Sequence, residues 1–314
     1  MKKISRIVFM GTPEFAVPAL KALKESGYDV PLVVTQPDRP KGRGQKVYPP
    51  PVKEAAVSLG CNVLQPDNVK TEEFAAEIES IKPDLYVVVA FGHILNKRLL
   101  SIPGKGSINI HASLLPEYRG PAPIQHAIIS GEKETGVTTI LMGESIDSGD
   151  IILAAKEEIR PDDTSSTLHD RLAASGAKLL IKTLGQIESG NIKLIPQDHD
   201  RATYAPMLKK SDGHIDWNLS AESLDAFIRG MTPWPGAYTF HDDKRLKIFS
   251  GEAVETDIID ALPGKVMESF EGELIIATGK GALSILELQG SSGKRLKIRD
   301  FLRGNNIPAG IVFR

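Results

Sequence analysis

The sequence predicts an α/β protein: a mostly parallel, Rossmann-like sheet covered by helices, followed by a small OB-like β-barrel. Three observations predict it. The chain opens strand–helix–strand, over Arg6–Met10, Pro13–Ser26 and Val30–Thr35, an order that argues a parallel sheet. Asp84–Ala90, DLYVVVA, is a continuous apolar run, the mark of a central parallel strand buried on both faces. From Ala237 onward the pattern changes to short alternating runs separated by turns, as in a small barrel. A chain of 314 residues suggests two domains. They are expected at 1–190 and 209–314, joined by a polar, punctuated linker over 191–208.

Composition narrows the classes. With 41% hydrophobic and 25% charged residues, the chain reads as an ordinary soluble protein. A net charge of −2 excludes nucleic-acid binding through overall charge, so any such binding needs a local basic patch. The single cysteine, Cys61, excludes a disulfide framework and a Cys-rich zinc site, and fits a reducing cytoplasm. The first apolar run is only Ile7–Met10 before Gly-Thr-Pro-Glu, so it is a strand rather than a signal peptide. No run approaches the ~18 apolar residues of a membrane span. The histidines are scattered without ligand spacing, and no metal is expected.

Pro13 is well placed to open the first helix. GTPEFA departs from G-x-G-x-x-G, which weakens a dinucleotide reading. Gln36–Pro51, QPDRPKGRGQKVYPPP, breaks the pattern. It sets Arg39, Lys41, Arg43 and Lys46 against Asp38, with Gly42 and Gly44 flanking Arg43, and its prolines are expected to rule out regular structure. Such a stretch suits a grip on a phosphate backbone, and equally a solvated loop with no partner. A helix follows over Val52–Gly60, a short strand over Asn62–Gln65, and a helix over Thr71–Ile81 capped by Thr71. The DLYVVVA strand ends in Phe91-Gly92-His93. Ligands of open parallel sheets bind off the carboxyl ends of the strands, so His93 is either a site-rim residue or a plain loop histidine.

Ser107–Gly120, SINIHASLLPEYRG, is the chemically richest stretch. Ile108 and Ile110 alternate with Ser107 and Asn109, as in a strand. Asn109 and His111, two apart, point to the same side. An amide and an imidazole aimed at one point can both donate to an oxygen gaining charge; a loop histidine beside a strand asparagine is the bland alternative. Pro121–Ser130 reads as a helix. Thr135–Gly143 and Ile151–Ala155 are expected to form an antiparallel edge. Between them Asp147 sits in ESIDSGD, where a carboxylate can bond its own backbone as a turn former or face and orient His111. Thr164–Gly190 is a long amphipathic helix. A helix over Ser220–Arg229 precedes the five runs Ala237–His241, Leu246–Ala253, Gly264–Ser269, Glu273–Thr278 and Ala282–Leu288, and Lys297–Gly304 is a short terminal helix. The clusters Lys244, Arg245, Lys247 and Lys294, Arg295, Lys297, Arg299, Arg303 lie in a region near charge balance and read as solvated faces.

Asn109, His111, the Ser113-Leu114-Leu115-Pro116 turn, Gly120, and Asp147 in Ile-Asp-Ser-Gly-Asp together resemble the 10-formyltetrahydrofolate-dependent formyltransferases. The start FMGTPEFAVPAL, the TQPDRPKGRG loop, VVVAFGHIL and the β-rich end extend the resemblance over the whole chain. They narrow it to the branch whose acceptor is the α-amino group of methionyl initiator tRNA, in translation initiation. The resemblance implies that Asn109 and His111 stabilise a tetrahedral oxyanion and that Asp147 orients His111. It implies a folate seat at Ser113, Leu114, Leu115 and Pro116, with Phe91 and Gly92 lining the pteridine side. It also implies a tRNA contact through Lys41, Arg43 and Lys46, and a second electrostatic contact from the barrel. The expectation is thus a cytoplasmic monomer that takes 10-formyltetrahydrofolate as donor and uses no metal. Relatives that formylate a sugar-nucleotide amine, or hydrolyse formyl-folate, share the same trio; the basic loop argues against them.

Overall fold

The computed structural model describes residues 4–41, 44–254, 261–268, 272–291 and 293–314. The contacts divide the chain into two compact units. One comprises Met1–Pro123, Glu134–Glu158 and His169–Ala205; the other comprises Ile124–Lys133, Ile159–Leu168 and Pro206–Arg314. Among the described residues, no helix is long and apolar enough to cross a membrane.

The first unit is built on a seven-stranded sheet. Its elements run β1 (Arg6–Gly11), α1 (Val17–Glu25), β2 (Asp29–Val34), β3 (Arg39–Lys41), β4 (Lys46–Tyr48), α2 (Pro51–Ser58), β5 (Val63–Leu64), α3 (Glu72–Ser80), β6 (Leu85–Val89), α4 (Lys97–Leu100) and β7 (Ser107–His111). Next along the chain are α5 (Pro123–Ile129), which from Ile124 on belongs to the second unit, then β8 (Glu134–Leu141), β9 (Ile151–Glu158) and α6 (Ser165–Ser189), which belongs to the first unit from His169 on. The strand order is β5-β2-β1-β6-β7-β8-β9. Pairing is parallel from β5 to β7 and antiparallel at β7–β8 and β8–β9. The apolar run read as the central strand is β6, the middle of the seven, with every residue buried. Val8, Met10, Val34, Tyr86 and Val88 pack on one side against Phe74, Ile78 and Leu99. Thr71 caps α3 as expected, its hydroxyl accepting from Phe74 N at 3.2 Å.

Two local expectations change. Pro13 does not open the helix directly: a 3₁₀ turn, Glu14–Ala16, comes first, with Ala16 N donating to Pro13 O. The Gln36–Pro51 stretch, expected to be irregular, holds the antiparallel ribbon β3–β4, registered Arg39↔Tyr48, Pro40↔Val47 and Lys41↔Lys46. The prolines tolerate it because only Pro40 lies inside a strand, and a two-stranded ribbon has outer edges where no N–H is needed. Asp38 ties the base of the ribbon, accepting from Lys53 Nζ at 2.8 and 2.9 Å and from Gln65 Nε2 at 2.7 Å. These donors hold its carboxyl below the ordinary range.

In the second unit α7 (Ala221–Met231), capped by Ser220, precedes β10 (Ala237–His241), β11 (Lys244–Val254), β12 (Val266–Glu268), β13 (Ile275–Ala277), β14 (Ala282–Gln289), β15 (Leu296–Lys297) and α8 (Ile298–Leu302). The expected five runs appear as β10 to β14; positions 269–271, where the third was extended to Ser269, lie outside the described residues. The antiparallel order is β10-β11-β14-β13-β12, with β15 beside β14. Register shifts around Ser250 bend β11, which tightens the curl of a sheet. The last residues bridge the two ends of this half-barrel. Phe240 N donates to Arg314 O at 2.8 Å, Phe313 N to Gly264 O at 2.8 Å, and Val266 N to Ile311 O at 2.7 Å. The Phe313 ring, 3% exposed, packs near Trp217 and His241. Truncating a buried aromatic of this kind typically costs about 3–5 kcal/mol. Phe313→Ala should therefore destabilise this unit by about 3 kcal/mol, read as a fall in its calorimetric Tm; an unchanged Tm would show that the bridging segment adds nothing.

Candidate active site

The site is centred on β7. Ser107, Ile108, Ile110 and His111 are buried, His111 at 6% exposure, and Asn109 alone on the strand is half-buried. β8 runs back along β7 and ends opposite Ile108. The connection over 142–150 therefore leaves from the amino-terminal side of β7. It folds back along the strand to bring Asp147 to Asn109 and His111. Asp147 holds a left-handed backbone, φ +49°, uncommon for a residue with a side chain.

The Asp147 carboxylate is the hub. Oδ2 accepts from Gly120 N at 2.9 Å and faces His111 Nδ1 at 3.5 Å; Oδ1 faces Asn109 Nδ2 at 3.4 Å. Gly120 reaches this carboxylate with φ +116°, and a Cβ there would meet Ala205 O at 2.8 Å. Asp147 thus does not serve merely as a turn former. His111 Nε2 lies 2.9 Å from Tyr118 O. A carbonyl only accepts, so Nε2 carries a hydrogen, and Nδ1 is the nitrogen on the Asp147 and Asn109 side. Contacts near 3.5 Å leave room for an incoming group, as catalytic hydrogen bonds often do before substrate arrives.

The Ser113–Pro116 turn follows directly and contains a cis Leu115–Pro116 bond. Thr138, fully buried on β8, shapes it: its hydroxyl donates to Ser113 O at 2.7 Å and accepts from Leu115 N at 3.2 Å. Ser113 is itself buried, and its hydroxyl donates to Glu117 O at 2.5 Å. Leu114 and Pro116 are half-buried, whereas Leu115 is buried. At the end of β6 the Phe91 ring is 2% exposed within the core cluster, so what Phe91 presents there is its backbone. Its carbonyl accepts from Thr12 Oγ1 at 2.9 Å and Gln36 Nε2 at 3.3 Å. Gly92, at φ +82°, leaves room for that amide, since a Cβ would meet Gln36 Nε2 at 2.3 Å. His93 packs edge-on to Phe91 at 5.1 Å. Burial, then the positive charge of Arg39, pushes its ring below the ordinary histidine value.

Of the basic ribbon residues, Lys46 is exposed, beside Val47 and Tyr48 at 62% and 48% exposure. Lys41 lies on β3; Arg43 lies outside the described residues. Among the described residues no group of three or more His, Cys, Asp or Glu side chains could hold a metal ion.

Sequence reasoning missed two partners of the site. Gln197, in the stretch read as linker, is 6% exposed and donates through Nε2 to Asp147 O at 2.9 Å and Gly149 O at 2.7 Å. Arg119, 4% exposed, donates to Gln197 Oε1 from Nε at 3.1 Å and Nη2 at 2.6 Å. Only the adjacency of Arg119 to Gly120 in the motif could have drawn attention to it. Gln197 carries no local signal.

Comparison with known proteins fits this arrangement. The formyl transferase family model matches residues 5–184, and the model of the formyl transferase C-terminal domain matches 207–306. The chain is 51% identical over 312 residues to the methionyl-tRNA formyltransferase of Caldanaerobacter subterraneus subsp. tengcongensis, covering 98% of this chain and 100% of that one. It is 49% identical over 310 residues to the methionyl-tRNA formyltransferase of Bacillus velezensis, covering 98% of each. Among solved structures, the N-formyltransferase of Helicobacter canadensis in complex with folinic acid and dTDP-3-aminofucose shares the fold. Its TM-score is 0.68 at 20% identity, over 93% of this chain and all of that one. HypX from Aquifex aeolicus in complex with tetrahydrofolic acid superposes with TM-score 0.64 at 18% identity, over 96% of this chain and 47% of that one. Identity near one half over almost the full length, with both domain models matched in order, places the chain in the methionyl-tRNA formyltransferase family.

Proposed function

We propose that this chain transfers the formyl group of 10-formyltetrahydrofolate to the α-amino group of methionine carried by initiator tRNA, in the cytoplasm, with Asn109, His111 and Asp147 as the catalytic residues. The observation that carries this reading is the convergence of an amide, an imidazole and a carboxylate on one point of β7. The α-amine attacks the formyl carbon and a tetrahedral oxyanion forms. Asn109 Nδ2 donates to that oxygen as its charge develops, and so does His111 Nδ1 when the ring carries a second proton, as an imidazolium facing Asp147. The bond from carbon to N10 then breaks. Asp147 takes one proton from the attacking nitrogen and gives it up to N10 as that nitrogen leaves, so the proton count balances and the carboxylate is regenerated. A free α-amine has a pKa near 8, so the nucleophile needs little activation and no covalent enzyme intermediate is required.

The Ser113–Pro116 turn and the backbone around Phe91 and Gly92 are the proposed folate seat, beside the trio. Lys41, Arg43 and Lys46 are the proposed tRNA contacts. What supports the latter is a ribbon anchored at its base by Asp38 and carrying an exposed cation, Lys46, next to an exposed ring, Tyr48. Lysines and arginines neutralise phosphates and rings stack on unpaired bases.

The direct test is incubation with formyl-labelled folate and charged initiator tRNA. Label should appear on the methionine amine; label on a sugar-nucleotide amine instead would overturn the acceptor. Asn109→Ala should lower kcat by about 10²–10³ with an unchanged Tm, and wild-type kcat would remove Asn109 from oxyanion stabilisation. Replacing Lys41, Arg43 and Lys46 together by Ala should weaken kcat/KM for the charged tRNA while folate affinity holds. The salt dependence of that step should flatten by about one unit of log–log slope for each phosphate no longer neutralised; an unchanged slope would exclude the ribbon from tRNA binding.

A further inference from the structure

We infer that Gln197 is a positioning residue for formyl transfer, acting through the turn that carries Asp147 and polarised by the buried cation Arg119; the inference rests on the role proposed for Asp147. The hydrogen-bond pattern fixes the orientation of its amide. Asp147 O and Gly149 O can only accept, so they must face the NH₂ group, and the Arg119 guanidinium can only donate, so it must face Oε1. One NH₂ thus pins two carbonyls of a single turn, in which Asp147 holds φ +49°. Aspartate tolerates that backbone better than most side-chain-bearing residues, and the two bonds hold the turn in it against the remaining cost.

Arg119 explains the strength of the brace. Its guanidinium has no carboxylate partner among the described residues; its acceptors are Gln197 Oε1 and His199 Nδ1, the latter at 3.0 Å. A buried cation paired only with neutral acceptors is costly. Here it withdraws charge from the amide and makes Nε2–H a better donor to the Asp147 turn. The same stretch of chain reaches the other member of the pair. Thr203 Oγ1 accepts from Tyr118 N at 2.8 Å, and Tyr118 O is the acceptor for His111 Nε2. Residues 197–203 therefore set both the carboxylate and the imidazole, although they touch no reacting atom in the proposed mechanism.

The test is Gln197→Glu, which keeps size and the acceptor for Arg119 but sets an oxygen against the two carbonyls. Formyl-transfer kcat should fall about 100-fold, the cost of a misplacement near 1 Å, with KM for both substrates within about twofold. In an Asp147→Asn background the same change should cost less than about threefold, because its effect passes through Asp147. A loss of equal size in both backgrounds, or a wild-type kcat, overturns the inference. Gln197→Met, read the same way, serves if the charged variant fails to fold. In the free protein the His111 ring ¹⁵N resonances should shift on either substitution. Unchanged resonances overturn the brace whether or not the wild type transfers formyl, whereas shifted resonances in a wild type without formyl transfer leave the brace standing and remove only the functional reading.

Discussion

A half-buried carboxylate needs donors, and Asp147 finds them on separate parts of the chain. Gly120 N–H reaches one oxygen, and the His111 and Asn109 side chains stand at 3.5 and 3.4 Å. Only the first is a full hydrogen bond; the other two are loose. In the proposed transfer, that imbalance lets the carboxylate hold its place and still yield donors to an oxygen arriving from a substrate. A fully tightened trio would stabilise the empty site at the expense of the transition state.

The looseness is possible because the surroundings are stiff. β7 is gripped on one side by parallel β6 and on the other by antiparallel β8, so the Cα position of Asn109 is set by two ladders and that of His111 by the β8 ladder. The hook after His111 is held by a buried threonine from that same β8. Reversal of strand direction at β7 also has a geometric effect. It forces the next connection to begin at the wrong end of the strand and to travel back over it, which is how a carboxylate distant in sequence comes to lie beside the amide.

Much of this was legible in the residues. DLYVVVA marks β6 because a strand covered by helices on both faces has no polar side to show, and the alternation in SINIH marks β7. Asn109, His111 and Asp147 were recognisable together because motif and chemistry agreed. Other features left no local trace. The β3–β4 ribbon hides among prolines that sit beside its strands rather than within them. The inward aim of Phe91 depends on the buried cluster it joins, whose members Val8, Val34 and Phe74 come from distant parts of the chain. Gln197 is one amide in a polar stretch, and its meaning comes from a guanidinium 78 residues earlier. Similarly, the segment closing the half-barrel is too short to read as a strand, since its partners, Phe240 and Gly264, already lie in unrelated runs.

The separation of Gln197 from the residues it braces bears on how the molecule comes into being. Closing a long loop is entropically unfavourable before its contacts form, and chains are made from the amino end at a modest pace. A nascent chain that has emerged only through β9 already holds Asn109, His111, Gly120 and Asp147 and every strand of their sheet. It does not yet hold the stretch that pins the Asp147 turn and Tyr118. The geometry proposed for catalysis is therefore completed by a stretch of chain made after the last strand of its sheet.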